Sequence, residues 1–338
     1  MDSPAIAQSL RPLLVDIYEH YGKANLAKDE IDNFLQATAE SPGADHQIIL
    51  ANLSMYLHQI EWRSLPEIFV LKAIRTLPDL FKGGSIQSQS HLYPLLFAKC
   101  CIDAGFKVLP EQRLGSRDCD IFLQTSGTSI KLRPLVFNVA LNKTRLNGIP
   151  VEHKSTRNRA VTHINSAIQK FATYGGGVVA IDVTQSIESM GEFGKVSQPD
   201  LDDNVSQRLN KVANNIKYRM RNQGNKDFFK YCPAVILTCM IVNQSRPKGD
   251  PVKTSGAAMV SSRMALMPNM EYKFTGIKHG PEYVYEWSQT LGKLLSPGWS
   301  RVISSGVSFG MQPLCVEIGK ESVSVEVGDG LKIQRHRI

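Results

Sequence analysis

The amino-acid sequence predicts an α/β protein of the α+β kind, in which a helical N-terminal module precedes a mixed β-sheet flanked by helices. The first observation is helical periodicity, because apolar residues recur at three- and four-residue intervals from about residue 5 to about residue 81. The second is a pair of continuous apolar runs, Val178 to Val183 and Tyr231 to Val242, typical of strands buried on both faces. The third is an amphipathic helix that stops at Gly175-Gly176-Gly177 before the first run, since alternation of helices and strands indicates a sheet covered by helices.

The chain divides into two predicted domains. Residues 1–83 form a helical N-terminal domain, and residues 91–338 form the α/β domain with a C-terminal extension. Residues 84–90 form the predicted linker, because a glycine-led run of small polar residues is typical of flexible connections. The N-terminal helices carry no recognisable catalytic constellation, so we expect that domain to bind a regulatory protein partner.

Several elements of the α/β domain can be placed from the sequence. A helix over about residues 91–104 ends at Gly105, and Leu135 to Leu141 is a strand-like tract. Asp182 lies in an otherwise apolar run, and the simplest explanation is that the strand ends there, since a carboxylate in a central strand must be paired. Alternating apolar and polar residues predict a closing hairpin at Ser322 to Val327.

Acidic residues next to predicted strands provide a candidate active site. Asp120 heads an apolar run, and the triplet Glu152-His153-Lys154 follows a further strand-like tract. Because successive side chains of a strand point to opposite faces, Glu152 and Lys154 share one face. If Asp120 projects onto that face, two carboxylates can hold Mg²⁺ or Mn²⁺ through oxygen ligands, and Glu111 could add a third.

These residue types suit hydrolysis of a phosphodiester. A bound metal ion would lower the pKa of a water molecule to make a nucleophile, and it would offset the charge that grows on the phosphate. Lys154 would position that water or stabilise the transition state. The predicted catalytic residues are therefore Asp120, Glu152, Lys154 and Glu111, of which the three acids are the predicted metal ligands.

This arrangement resembles the PD-(D/E)xK nuclease superfamily. In the restriction-endonuclease-like fold of that superfamily, an acid on one strand precedes a Glu-x-Lys on the next strand, and a helix follows. The resemblance covers roughly residues 93–242. It implies that Asp120 and Glu152 bind the metal, that Lys154 is the family's lysine and that Glu111 is its early glutamate. The spacing between Asp120 and Glu152 leaves room for one extra strand.

Basic and polar residues beyond the triplet predict contact with nucleic acid. The formal net charge is +8 and the sequence pI is about 9.1, and Lys and Arg neutralise phosphates. Nuclease families of this fold often use a Gln or Lys on the helix after the catalytic strand. The predicted contacts are Arg157, Arg159, Gln169, Lys170, Lys217, Arg219 and Arg221. The alternative for each is an exposed polar residue on a solvated helix face.

The sequence contains a second Glu-x-Lys triplet, Glu271-Tyr272-Lys273. A triplet of this kind arises by chance about once in a few hundred residues of ordinary composition. The nearest acid before it, Asp250, lies in a turn-like segment and does not head an apolar run. We therefore assign the candidate site to the first triplet, for which the alternative is a solvated strand face.

Composition and the chain start bear on the cellular setting. No run approaches the roughly 18 apolar residues of a membrane span, so no membrane partner is predicted. The first residues carry an acid where a signal peptide has a basic segment, so we expect none. The six cysteines form no C-x-x-C pair, which favours reduced thiols. The predicted location is the cytoplasm.

Together these patterns lead us to interpret the chain as a metal-dependent endonuclease that acts on DNA. Analogy of fold makes restriction or phage defence the expected setting, and a homodimer is one expected assembly. Two alternatives remain open on the sequence. One is a catalytically inactive module of the same fold that binds nucleic acid or a partner protein. The other is an RNase, since no residue here is recognisable as a reader of a 2′-hydroxyl.

Overall fold

A computed structural model describes residues 3–39, 62–71, 74, 85–114, 117–125, 137–141, 144–156, 159–194, 196–223, 226–243, 259–273, 280–310, 317–319, 322–327 and 331–336. The helices are α1 (Ser3–His20), α2 (Ala24–Ala39), α3 (Ser85–Asp103), α4 (Ala160–Tyr174), α5 (Thr184–Glu188), α6 (Gln198–Asn222), α7 (Lys226–Tyr231) and α8 (Pro281–Gly310), with a 3₁₀ turn at Trp62–Ser64. The strands are β1 (Phe106–Leu114), β2 (Arg117–Thr125), β3 (Phe137–Leu141), β4 (Thr144–Ser155), β5 (Val178–Asp182), β6 (Ala234–Asn243), β7 (Met259–Pro268), β8 (Glu317–Gly319), β9 (Ser322–Val327) and β10 (Leu331–His336).

The main sheet has seven strands in the order β1-β2-β4-β5-β6-β7, and β3 pairs with the first part of β4. Strands β1, β2 and β4 are antiparallel neighbours, whereas β4, β5 and β6 run parallel. Each parallel step needs a crossover, which α4 supplies between β4 and β5 and the segment containing α6 supplies between β5 and β6. Strand β7 returns antiparallel to β6. The predicted class, a mixed sheet flanked by helices, is confirmed.

Two hydrophobic cores cover opposite faces of this sheet. Helices α4 and α6 pack on the face that includes Val179 and Ile181. Helices α1, α3 and α8 contribute to the core on the other face, which includes Val178 and Ala180. Alternate residues of β5 therefore enter different cores, which explains why the sequence of this strand is apolar throughout.

Helix α4 and strand β5 end where the sequence predicts. Gly175 caps α4 with a φ of 75°, a left-handed conformation that glycine adopts without steric cost. Asp182 is the last residue of β5 and is buried. Its Oδ1 accepts hydrogen bonds from the backbone N–H of Thr184 at 3.1 Å and from Thr184 Oγ1 at 2.6 Å. Thr184, at the start of the next helix, therefore provides hydrogen bonds to the buried carboxylate.

Three features differ from the sequence-based expectations. Residues 85–90 of the predicted linker form the first turns of α3, because nothing after Gly84 in that stretch is a glycine or proline that would stop a helix. The segment after β5 contains the short helix α5, which was not predicted. Strand β7 was not predicted, since residues of both polarities alternate irregularly along it. The predicted strand at Leu135 to Leu141 and the closing hairpin are present, as β3 and as β9 with β10.

The described cysteines agree with the expectation of reduced thiols. The thiols of Cys100, Cys101, Cys232 and Cys239 are free and buried. Among the helices that the structure describes, none is long and apolar enough to cross a membrane.

Candidate active site

The candidate site lies at the end of the backbone pairing between β2 and β4, where hydrogen bonds from backbone to side chain join the two strands. The two strands pair from Gln124 opposite Gly148 to Ile121 opposite Val151. Asp120 is the residue before Ile121 on β2, and its backbone N–H donates to a carboxylate on β4.

Two reciprocal hydrogen bonds join the strands at this point. The N–H of Asp120 donates to Glu152 Oε1 at 3.0 Å. The N–H of His153 donates to Asp120 Oδ2 at 3.1 Å. Each carboxylate thus occupies the place of a backbone acceptor, and the two acids are held side by side between neighbouring strands.

Strand register sets which face the triplet side chains occupy. Glu152 pairs with Val179 and Lys154 with Ile181, both of which face α4 and α6. His153 pairs with Ala180 on the other face, and its ring centroid lies 6.2 Å from that of Tyr93. Glu152 and Lys154 therefore share a face, as strand alternation predicts.

The third predicted acid lies at a matching register position. In the antiparallel pairing of β1 with β2, Pro110 is opposite Ile121 and Gln112 is opposite Cys119. Glu111 therefore lies across from Asp120 on the adjacent strand. Its side chain is outside the described part of the chain. The backbone thus brings the three predicted acids to neighbouring positions on β1, β2 and β4.

An ammonium group from α4 lies between the two described carboxylates. Lys170 Nζ is 2.7 Å from Glu152 Oε2 and 3.9 Å from Asp120 Oδ1. The side chain of Glu152 is only 11% exposed, and that of Asp120 is 34% exposed. Lys170 was predicted to contact nucleic acid, but the amphipathic pattern of α4 did not reveal that it reaches the acids.

The electrostatics of the site are set by burial and by the proximity of the two acids. Burial and then the nearby charge of Asp120 raise the pKa of Glu152 to about 7, although Lys170 and the Asp120 N–H act in the opposite direction. Lys170 therefore compensates the charge of the two carboxylates only in part. Additional positive charge at this position would favour the ionised form of Glu152.

His153 connects the acids to the opposite core. Its Nδ1 lies 3.5 Å from Asp120 Oδ2, and its ring meets the ring of Tyr93 edge to face at 70°. Tyr93 is buried, and its hydroxyl lies 3.2 Å from Thr238 Oγ1. Strand alternation places His153 away from α4, but no sequence signal indicated its contact with Asp120.

The other predicted residues occupy two exposed regions. Lys154 is exposed. Burial lowers the pKa of His163 at the start of α4, and the positive charges of Lys154 and Arg159 lower it further. Arg159 and Gln169 are exposed residues at the start and on the surface of α4. Lys217, Arg219 and Arg221 are exposed on α6. Arg157 lies outside the described residues.

The second triplet has no comparable surroundings. It follows β7 and does not lie on a strand; Glu271 and Lys273 are exposed, whereas Tyr272 is buried. The Tyr272 hydroxyl donates to the carbonyl of Gly175 at 3.5 Å, which is a long contact. The acid and the lysine of this triplet therefore lie on the protein surface.

No group of three or more His, Cys, Asp or Glu side chains able to hold a metal ion occurs among the residues that the structure describes. Comparison with protein-family models, with curated proteins and with solved structures found no match to this chain. The family resemblance and the functional roles of the site residues therefore stay predictions.

Proposed function

We propose that this protein is a metal-dependent endonuclease that hydrolyses phosphodiester bonds of DNA. One observation carries the proposal: the carboxylates of Asp120 and Glu152, on adjacent antiparallel strands, converge on a single cationic group. The order of acid, Glu-x-Lys and helix follows the pattern of the PD-(D/E)xK nucleases, with Asp120 on β2, the triplet on β4 and α4 next.

The donor set at this position fits a hard divalent cation. Two carboxylates already surround one ammonium, and Mg²⁺ and Mn²⁺ take oxygen ligands of this type. The raised pKa of Glu152 supports the fit, because burial and then the negative charge of Asp120 raise it, and Lys170 offsets them only in part. Asp120 and Glu152 would hold the ion, and Glu111 is placed by register to join them.

The protein's own groups have distinct roles in this proposal. A divalent ion would supply a nucleophile near neutral pH and offset charge on the phosphate. A backbone N–H of β4 holds the Asp120 carboxylate, and a backbone N–H of β2 holds the Glu152 carboxylate. The two side chains therefore need little reorganisation to bind an ion. Lys170 balances their charge and Lys154, exposed on the same face, would contact the phosphate.

Cations around the site support a polyanionic substrate. Lys154 and Arg159 act together on His163, so both lie near the start of α4. Helix α6 covers the same face of the sheet and carries further exposed cations. A phosphate backbone that reaches the acids would therefore pass positively charged side chains on the same side of the molecule.

The test is cleavage of plasmid DNA and of a mixed RNA with Mg²⁺, with Mn²⁺ and with EDTA. Asp120→Ala and Glu152→Gln should abolish metal-dependent cutting, whereas Glu271→Gln and Lys273→Ala, in the exposed second triplet, should leave it unchanged. Cleavage of RNA in preference to DNA would replace the proposed substrate with RNA. Equal cutting by wild type and Asp120→Ala would exclude this site.

One observation favours the inactive module as a second candidate. Lys170 Nζ already makes a 2.7 Å ion pair with Glu152, so the position between the acids holds a charge partner without any metal. In that case the ion pair is structural, and the fold binds nucleic acid or a partner protein. Retained DNA binding without cleavage under either metal, in wild type and in Lys170→Ala alike, would support this candidate.

A further inference from the structure

The outward face of α6 has an unusual composition for a surface helix. From residue 204 to residue 223 the sequence contains five cationic residues and no acidic one. The same stretch contains seven Asn or Gln residues. We define the amide face as the outward residues Gln207, Asn210, Lys211, Asn214, Lys217 and Arg221.

The amide face does not contribute to the packing of α6. The opposite side of the helix is a buried apolar stripe that includes Val205, Leu209, Val212, Ile216 and Met220. By contrast, every residue of the amide face is exposed. The helix is held in place by its inner stripe, and its outer residues are available for contact.

One cation of the helix provides a useful contrast. Arg208 Nη1 donates to the carbonyl of Gly191 at 2.5 Å, and its guanidinium lies 3.8 Å from the centroid of the Phe193 ring. Arg208 therefore holds the segment after α5 against α6. Lys211, Lys217 and Arg221, by contrast, are exposed residues of the amide face.

Helix stability alone does not explain the asparagines. Asn is a weaker helix former than Ala, Lys, Gln or Glu, because its short side chain competes for backbone hydrogen bonds. Asn210 and Asn214 nevertheless lie in the middle of a helix of 25 residues, at exposed positions. A role outside the helix, which uses amides that both donate and accept, accounts for their presence.

We infer that the amide face binds double-stranded DNA by entering its major groove. Asn and Gln side chains can form hydrogen bonds with both the donor and the acceptor that adenine presents in the major groove. Flanking Lys and Arg can bind guanine and the phosphates. Gln207 and Arg221 are 14 residues apart, so the face extends about 21 Å along the helix, and the groove is wide enough to admit a helix.

Duplex DNA fits this face better than a single strand. Single strands are usually held in concave grooves, where aromatic side chains stack on unpaired bases. The amide face is the outer side of a helix and is therefore convex. Tyr218 is 67% exposed beside it, and it is the single aromatic residue in the stretch from 204 to 223. Its position beside Lys217 is consistent with a contact to the DNA backbone.

The inference deepens the proposed function and depends on it for the identity of DNA as the substrate. Asn165 of α4 donates to Gln223 Oε1 at the end of α6 at 3.4 Å. The C-terminal end of α6 therefore lies beside the helix that carries Lys170. A duplex on the amide face would lie on the same side of the sheet as Asp120 and Glu152.

The test measures binding of a fluorescent 30-base-pair duplex by anisotropy in EDTA, so that cleavage plays no part. In the double variant Asn210→Ala and Asn214→Ala, affinity for the preferred duplex from a random pool should fall at least about fivefold. The midpoint of thermal unfolding should rise, because Ala is the better helix former. Opposite changes in stability and affinity cannot come from misfolding.

A second variant tests the cations, and a third provides the control. Lys217→Ala with Arg221→Ala should weaken all duplexes alike and reduce the slope of log affinity against log salt by about one per lost phosphate contact. Gln289→Ala with Lys293→Ala removes an amide and a cation from α8, which packs on the other face of the sheet, and should change neither quantity.

The outcomes separate this inference from the proposed nuclease activity. Loss of binding in the α6 variants supports the amide face whether or not the wild type cuts DNA. Unchanged duplex binding in both α6 variants would overturn the inference even if Asp120→Ala abolishes cleavage. Tighter binding of single-stranded DNA or RNA, or equal competition by polyglutamate, would also overturn it, since each identifies a different occupant.

Discussion

The two Glu-x-Lys triplets of this chain share a sequence pattern but differ in their surroundings. In Glu152-His153-Lys154, on the central strand β4, the side chain of the acid is 11% exposed and contacts a lysine from α4. In Glu271-Tyr272-Lys273, after the strand β7, the acid and the lysine are exposed and the central residue is buried. The difference shows that the same short motif can lie in very different electrostatic surroundings, because the fold buries the acid of one triplet beside other charges and leaves that of the other exposed.

The largest expected difference between the triplets is in cleavage. Glu152→Gln keeps the shape of the side chain but removes a proposed metal ligand, so metal-dependent cutting should fall by more than about 100-fold. Lys154→Ala should also reduce cutting, whereas Glu271→Gln and Lys273→Ala should match wild type. Plasmid nicking followed over time measures all four. Equal losses in the two triplets would remove the distinction between them.

A smaller difference is expected in stability and its dependence on pH. The pKa of Glu152 is raised from 4.5 to about 7, so its contribution to stability is complete below about pH 4.5 and is lost as pH rises through about 7. Lys170→Met removes the ammonium that limits this rise, so it should lower the free energy of unfolding by about 1–3 kcal/mol at pH 8. The loss should shrink at pH 5, where Glu152 is protonated.

Urea unfolding at the two pH values measures this effect, and Lys273→Met is the matched control. Because Lys273 is exposed, its replacement should change the free energy of unfolding by less than about 0.5 kcal/mol at either pH. A Lys170→Met variant that is equally destabilised at pH 5 and pH 8 would contradict the assignment, since packing and not charge would then explain the loss.

Direct titration tests the charge at the site and the metal together. The ¹³C carboxyl signal of Glu152, assigned through Glu152→Gln, should titrate with a midpoint of about 7 in EDTA. Saturating Mg²⁺ should lower that midpoint by about one unit or more, because a bound cation favours the ionised carboxylate. The signal of Glu271 should not respond to Mg²⁺. An unchanged Glu152 midpoint would argue that the acids hold no metal.

The smallest expected effect concerns the central residue of the second triplet. Tyr272→Phe removes a hydroxyl whose contact with the Gly175 carbonyl is 3.5 Å, so the free energy of unfolding should fall by less than about 1 kcal/mol. Tyr272→Ala should be far more destabilising because the ring is buried. Thermal unfolding of both variants shows whether this triplet serves packing. A large loss in Tyr272→Phe would instead indicate an important polar contact.

Much of the fold was predictable because it follows from local patterns. The apolar run of β5 and the helical period of α4 depend on residues close in sequence, as does the glycine stop at Gly175. Strand β7 was missed because its irregular polarity reflects two different helices packed on its faces. The linker prediction at 84–90 was wrong at residues 85–90, since small polar residues continue a helix when no breaker intervenes.

The sequence by itself determined the α/β class, the common face of Glu152 and Lys154, and the acidic residues that make up the candidate site. These follow from strand alternation and hydrophobic period, which are properties of neighbouring residues. Only the tertiary structure decided that Asp120 and Glu152 exchange backbone hydrogen bonds, that Lys170 reaches both acids, and that His153 joins them to Tyr93. Those contacts join residues 18 to 60 positions apart, and they depend on strand register and helix packing, which no local pattern encodes.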